Sequence, residues 1–265
     1  MICYVNGLYT DDPKISGFDL GVLRGLGIFD YFITYDRTPF HFSDHFLRLK
    51  KNAEKVRIKL PHTEKEVRAI VDELMQQNPN GELAFRMVLT AGSKRESHFM
   101  ILVTEIDRPD PTYYQTGVKL QTAIIPRVYP DIKSLFYMPA ILALNEAQTM
   151  GFFEVLGKTE AGQILEASTA NFFAYLDGKL LTPAQGVLPG ITRKIIKNLS
   201  PVCEKALHIE DIPRFEEAFL SSTNKEILPV VQIDNQIIGD GRPGPRTKQL
   251  HEAYQKSIRP LIVSP

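Results

Sequence analysis

Residues 83–117 read LAFRMVLTAGSKRESHFMILVTEIDRPDPTYYQTG. In the first eight, Leu83, Phe85, Met87 and Leu89 share one face by period two, with Ala84, Arg86, Val88 and Thr90 on the other, so the segment reads as a strand. Residues 99–105, FMILVTE, form a second strand able to pair with it. Two prolines then fall within Arg108–Thr112. They remove backbone donors and restrict the residues before them, so neither strand nor helix runs through. A strand pair ending at a double break marks the end of a lobe. The expected organisation is a small N-terminal lobe over 1–108, a linker over 109–117 and a larger lobe over 118–265.

Upstream, ICYVNGLY places Asn6-Gly7 between apolar runs, the dipeptide that best tolerates positive φ at both turn positions, and predicts an opening hairpin. From Ser43, Phe46, Leu49, Ala53 and Val56 recur at helical spacing, with Ser43 or Asp44 as the expected cap. A second helix is expected where Val67, Ile70, Val71 and Leu74 make one stripe before Asn78-Pro79-Asn80-Gly81. Downstream, GVKLQTAIIP reads as a strand and MPAILALNEAQTMG as a helix, with Pro139 in its first turn and Gly151 as its stop. FEVLGK, QILEAS and NFFAYLDGKLLTP read as strands, the last turning at Asp177-Gly178, and VVQIDNQIIG as a further hairpin. Helices are expected from Gly190, over Phe215–Leu220 and from about Arg246. Strands and helices mix without steady βαβ alternation, so the fold class is α+β with a mixed sheet.

The charge balances at 31 Lys+Arg against 31 Asp+Glu, which disfavours the broad basic surface that nucleic acid or an anionic membrane requires. Cys3 and Cys203 lie far apart without metal-ligand spacing, so neither a disulfide framework nor a metal site is expected. No stretch approaches the ~20 apolar residues of a membrane span, and no leader pattern opens the chain. A cytoplasmic protein acting on small molecules is the expectation.

Several segments carry chemistry. Gly190-Ile191-Thr192 sets backbone amides, a positive dipole end and a hydroxyl together at a helix entrance, which suits phosphate; an ordinary helix start reads the same way. Ser221-Ser222-Thr223 adds hydroxyl and amide donors. Arg24-Gly25-Leu26-Gly27 lacks the ending and the following helix of a nucleotide loop. Lys133 sits among Ile132, Leu135, Phe136 and Met138, a setting that favours a neutral, nucleophilic amine, though it is one lysine of 17. Glu166 ends a strand, where a carboxylate can hold a pyridinium proton or meet solvent. Arg48, two residues from Phe46, points away from the core stripe toward solvent or an anion.

Read together, Asp131-Ile-Lys-Ser-Leu135, Glu166 followed by Asn171-Phe-Phe173, Leu188-Pro-Gly-Ile-Thr-Arg193 and Ser221-Ser-Thr-Asn-Lys-Glu226 resemble the class IV aminotransferases. The same fold holds branched-chain and D-amino acid aminotransferases and aminodeoxychorismate lyase. The resemblance runs from about Tyr4 to Glu252 and implies a two-lobed fold type IV enzyme with pyridoxal 5'-phosphate in the cleft and a homodimeric assembly. It implies Lys133 as the cofactor-bearing lysine and Glu166 as partner of the pyridine nitrogen. Arg48, Ile191, Thr192, Ser222 and Thr223 match phosphate ligands, and Tyr137 matches a tyrosine that hydrogen-bonds the phenolic oxygen in some branched-chain enzymes.

Departures bear on substrate. The pattern Arg-Gly-Asp-Gly-Val-Phe-Glu appears as Arg24-Gly-Leu-Gly-Ile-Phe-Asp30, residues 89–92 lack the arginine that D-amino acid enzymes use as a carboxylate trap, and Phe136 replaces a common asparagine. The expected activity is amino transfer between an L-amino acid, branched or apolar, and a keto acid. Arg86 is the candidate for the substrate carboxylate, with an ion pair as its alternative, and Phe29 and Tyr31 the candidate pocket walls. The competing functions are the lyase reaction releasing pyruvate and 4-aminobenzoate, and non-catalytic cofactor binding.

Overall fold

The computed structural model describes residues 1–93 and 96–263, with side chains through residue 258; the last two residues of the larger lobe lie outside these. In chain order the elements are β1 (Cys3–Val5), β2 (Leu8–Thr10), α1 (Leu20–Arg24), β3 (Gly27–Tyr35), β4 (Thr38–Pro39), α2 (Phe42–Val56), α3 (Glu64–Gln77), β5 (Leu83–Ser93) and β6 (Glu96–Glu105). There follow α4 (Tyr113–Thr116), β7 (Val118–Ile124), α5 (Met138–Thr149), β8 (Glu154–Lys158), β9 (Gln163–Ala167), β10 (Asn171–Leu176), β11 (Lys179–Pro183) and α6 (Ile191–Leu199). Last come β12 (Val202–Lys205), β13 (Leu207–His208), β14 (Glu217–Ser222), β15 (Glu226–Ile233), β16 (Gln236–Ile237) and α7 (Pro245–Val263).

The chain divides into two compact units, the first built on Met1–Asp107 with Ile132–Phe136, the second on Arg108–Asp131 with Tyr137–Pro260. In the first unit a sheet runs β2-β1-β6-β5-β3-β4. The expected pairing of residues 83–90 with 99–105 is present: β5 and β6 run antiparallel, Leu83 opposite Glu105 and Leu89 opposite Phe99. Helices α2 and α3 bury the stripes read from their sequences, Phe46, Leu49 and Ala53 on one and Val67, Ile70, Val71 and Leu74 on the other, in one core with Phe32, Phe85 and Ile101. Thr63 closes a full capping box with Glu66. The start of α2 differs from expectation. His41, in left-handed backbone at φ 50°, is its cap, and Ser43 and Asp44 fall inside the first turn, where Asp44 meets His41 Nδ1 at 2.8 Å.

In the second unit the strands run β12-β11-β10-β14-β15-β7-β8-β9-β13, with β16 on β15. β15 with β7, β7 with β8, and β11 with β12 are parallel and the other pairs antiparallel, the mixed sheet expected of an α+β chain. The turn at Asp177-Gly178 has φ of 51° and 73°, as its sequence requires.

Two readings are corrected. FEEAFL, expected as a helix, lies within β14 from Glu217 onward, between β10 and β15. Ala218, Phe219 and Leu220 are all buried, so both faces are covered; a helix would have left one face to water. The larger lobe is also not continuous over 118–265. Ile132–Phe136 belongs to the first unit because its backbone bonds to β3. No described helix is long and apolar enough to cross a membrane, and among the described residues no cluster of His, Cys, Asp and Glu is suited to a metal ion.

Candidate active site

In the first unit, Lys133 is held by backbone. The Phe29 amide donates to the Lys133 carbonyl at 2.9 Å and the Leu135 amide to the Gly27 carbonyl at 3.0 Å, with Ile28 and Ser134 bridged between them. A Cβ on Gly27 would stand 2.5 Å from Leu135 Cδ1, so the close seat of 133–135 on β3 uses the missing side chain. Lys133 Nζ lies 4.6 Å from the centroid of the Phe29 ring. The Arg86 guanidinium stands 5.1 Å from that ring and 5.6 Å from Tyr31, its cross-strand partner. Each such contact contributes about 0.5–1 kcal/mol at exposed sites, enough to orient a cation but not to confine it. Among the described residues Arg86 has no carboxylate partner, so the ion-pair alternative finds no support. The apolar setting expected around Lys133 is half present: Ile132 is buried, but Lys133 is half-buried and Phe136 is 55% exposed.

Arg48 does not point to solvent. Its Nε and Nη2 donate to Asp30 Oδ2 and Oδ1, both at 2.8 Å, and its side chain is 11% exposed. Asp30 is fully buried within β3, and its Oδ1 also accepts from the Tyr31 amide at 2.8 Å and meets His45 Nδ1 at 2.6 Å. Burial would push the Asp30 carboxyl up, but Arg48 and His45 together outweigh it and hold it far below the usual carboxylate range. Burial lowers His45, with Asp30 opposing, so at neutral pH the ring is neutral and Nδ1–H donates. The arginine is thus gripped two-handed by a charge hidden in the sheet.

In the second unit, Glu166 is buried at the end of β9. Its Oε2 accepts from Asn171 Nδ2 at 2.7 Å and from the Leu188 amide at 3.0 Å, while Oε1 is ion-paired with Arg127. Asn171 also donates to the Leu188 carbonyl at 2.9 Å, locking the strand-turn region to the run before α6. Gly190 caps α6 without a side chain, so the cap itself offers the first-turn amides no side-chain acceptor. Beside them the Thr192 side chain is buried. A Cβ on Gly190 would fall 2.1 Å from Asn171 Oδ1, so glycine keeps this entrance compatible with the residue that holds Glu166. Opposite Asn171 on β14, Ser221 Oγ is buried with no hydrogen-bond partner among the described residues, at the head of the turn that bears Ser222 and Thr223. Ser222 Oγ meets Asn224 Oδ1 at 3.0 Å, and Tyr137 is the residue before α5.

Phe29, Tyr31, Arg86 and Lys133 therefore gather in the first unit, with Arg48 in a separate cluster there. Glu166, Ile191, Thr192, Ser222 and Thr223 belong to the second. Sequence reasoning missed Asp30, His45 and Arg127. A lone charge inside the apolar run Gly27–Tyr35 was the available signal for Asp30. Arg127, 39 positions from Glu166, offered none.

Taken unit by unit, the residues have the chemistry that a phosphorylated pyridine aldehyde calls for: in the first, an amine on a fixed backbone; in the second, a buried carboxylate of the kind that suits a ring nitrogen and a helix entrance with buried hydroxyls of the kind that suits a phosphate. Residues 27–233 match the model of the family described as Amino-transferase class IV. A provisionally named branched-chain-amino-acid aminotransferase of Methanocaldococcus jannaschii is 31% identical over 98% of this chain and 96% of its own. A D-alanine aminotransferase of Staphylococcus haemolyticus is 30% identical over 96% of this chain and 97% of its own. Among solved structures, the branched-chain amino acid aminotransferase of Escherichia coli shares the fold at TM-score 0.89 and 24% identity, over 96% of this chain and 93% of that one.

Proposed function

The chain belongs to the class IV aminotransferases, enzymes that use pyridoxal 5'-phosphate, and from that premise we propose that it moves the amino group of an L-amino acid with a branched or apolar side chain to a keto acid. Bound cofactor supplies an aldehyde carbon for the amine and a ring that withdraws electrons from the substrate α-carbon. Lys133 is the residue that carries it, and Lys133 Nζ takes the α-proton and returns one, acting as nucleophile and as acid-base catalyst. Glu166, paired with Arg127 and accepting from two donors on Oε2, holds a proton on the ring nitrogen.

Ile191, Thr192, Ser222 and Thr223 bind the phosphate, with Arg48 as a further ligand whose position Asp30 fixes. Tyr137 donates to the phenolic oxygen. Arg86, stacked on Phe29 and Tyr31, binds a substrate carboxylate.

The observation that carries the substrate reading is the pairing of an arginine without a carboxylate partner among the described residues with apolar Leu26 and Phe136 in the same unit, 42% and 55% exposed. Residues 89–92 read Leu-Thr-Ala-Gly, without the arginine that D-amino acid enzymes use there. For assembly, α5 buries only Ala147 and leaves Met138, Ile141 and Leu142 exposed; this face supports a homodimer. The test is turnover of a panel of L- and D-amino acids with 2-oxoglutarate, with aminodeoxychorismate in parallel. Keto-acid-dependent turnover of L-leucine, L-isoleucine or L-valine is expected. Faster turnover of D-alanine, or keto-acid-independent release of pyruvate from aminodeoxychorismate, overturns the substrate reading.

A further inference from the structure

The turn from Ser222 to Glu226 ends in two consecutive charged residues, and both are buried: Lys225 is 8% exposed and Glu226 6%. Their side chains leave for different partners. Glu226 sits in left-handed backbone at φ 52°, and its carboxylate accepts from Arg108 Nη1 at 2.9 Å and meets His251 Nε2 at 2.9 Å. Lys225 Nζ donates to Thr169 Oγ1 at 2.7 Å and stands 3.7 Å from Glu154 Oε2. Thr169 Oγ1 donates in turn to Glu154 Oε2 at 2.5 Å, Ser168 Oγ donates to Oε1, and Glu154 is 2% exposed.

Ser168 and Thr169 lie in the turn between β9 and β10, framed by Glu166 on one side and Asn171 on the other. One lysine therefore joins two turns: the one with Ser222 and Thr223 at its head, and the one flanked by Glu166 and its partner Asn171. A buried ion pair is a poor source of net stability, since apolar residues of similar volume in its place are often neutral or better. What it supplies is direction, because a hydrogen-bonded ammonium fixes where both turns stand. Left-handed backbone is disfavoured for a non-glycine residue, so the 222–226 turn does not keep its shape by local preference alone.

We propose that Lys225 is a positioning residue that sets the phosphate-binding hydroxyls of Ser222 and Thr223 relative to Glu166. The inference rests on the function proposed above. It is tested on the full chain by titrating cofactor-free protein with pyridoxal 5'-phosphate and with pyridoxal, which lacks the phosphate. Wild type, Lys225→Met and the double variant Glu154→Gln with Lys225→Met are compared; the last removes both buried charges and decides the matter should the single variant not fold. The preference for the phosphorylated form is expected to fall at least tenfold in each folded variant, with pyridoxal affinity nearly unchanged. An unchanged preference in the double variant, or a parallel loss of both affinities, overturns the inference. Wild type that binds neither compound overturns the functional reading itself.

Discussion

Asp30 and Glu166 are both buried carboxylates against arginines, one in each unit, yet they are held in different ways. Asp30 spends both oxygens on its own surroundings, two bonds to Arg48, one to the Tyr31 amide and one to His45. It has no capacity left for a ligand, and its effect is to fix an arginine. Glu166 is anchored through Oε2, by Asn171 and the Leu188 amide, and keeps Oε1 against the Arg127 guanidinium. The first arrangement makes a scaffold; the second aims a charge. Similar burial with a different distribution of donors is what, in the proposed function, separates a residue that supports a site from one that acts in it.

The largest expected effect falls on the scaffold. Asp30→Ala leaves Arg48 and His45 buried without their acceptor, and breaking such a pair costs about 3–5 kcal/mol. Thermal or urea denaturation should show this loss, together with weaker cofactor binding; a drop below about 1 kcal/mol, the scale of an exposed pair, would erase the contrast between the two carboxylates. Glu166→Gln should do the reverse. Amino transfer is expected to fall by about a hundredfold or more, the scale of removing one electrostatic contact to developing charge, with unfolding free energy little changed. Equal losses of stability and activity would make Glu166 a second scaffold residue.

Gly190→Ala probes the join between the two roles proposed for the second unit. Its Cβ would press on Asn171 Oδ1 at 2.1 Å, and overpacking of this kind costs about 1–3 kcal/mol. Turnover about tenfold lower with weaker cofactor affinity is expected in steady-state and binding assays; an unaffected enzyme would mean that Asn171 moves without disturbing Glu166.

The smallest effect is one of pH. Burial holds the folded His45 below the ordinary histidine value, so on acidification from about pH 6.5 the unfolded chain takes up a proton that the folded chain refuses, and stability is lost. Above that pH the contribution is complete. Asp30, also depressed, contributes above the ordinary carboxylate range of about 4 and loses its contribution only as pH falls further. His45→Gln should therefore be less stable than wild type at pH 7, with the difference narrowing toward pH 5 in melting curves. A gap that widens on acidification contradicts the assignment of a neutral ring.

Much of this was legible in the sequence where one side of an element meets water. The stripes of α2 and α3 and the turns at Asn6-Gly7 and Asp177-Gly178 are local signals, and the structure follows them. The reading fails where elements are covered on both faces. Gly27–Tyr35 is almost entirely buried and shows no alternation, so nothing in it announces a strand, and Glu217–Ser222 reads as a helix for the same reason. The resemblance supplies Glu166, but not what holds it. Arg127 and the Asp30–His45–Arg48 cluster are made by contacts 15 to 39 positions apart, which leave no periodic trace.

In the proposed function every other role depends on Lys133 carrying the cofactor. Purified protein saturated with pyridoxal 5'-phosphate, reduced with borohydride and digested, would show by mass spectrometry which of the 17 lysines carries the cofactor. Stoichiometric modification of Lys133, lost in Lys133→Ala, is the predicted result. Modification at another lysine, or none at any, would contradict it.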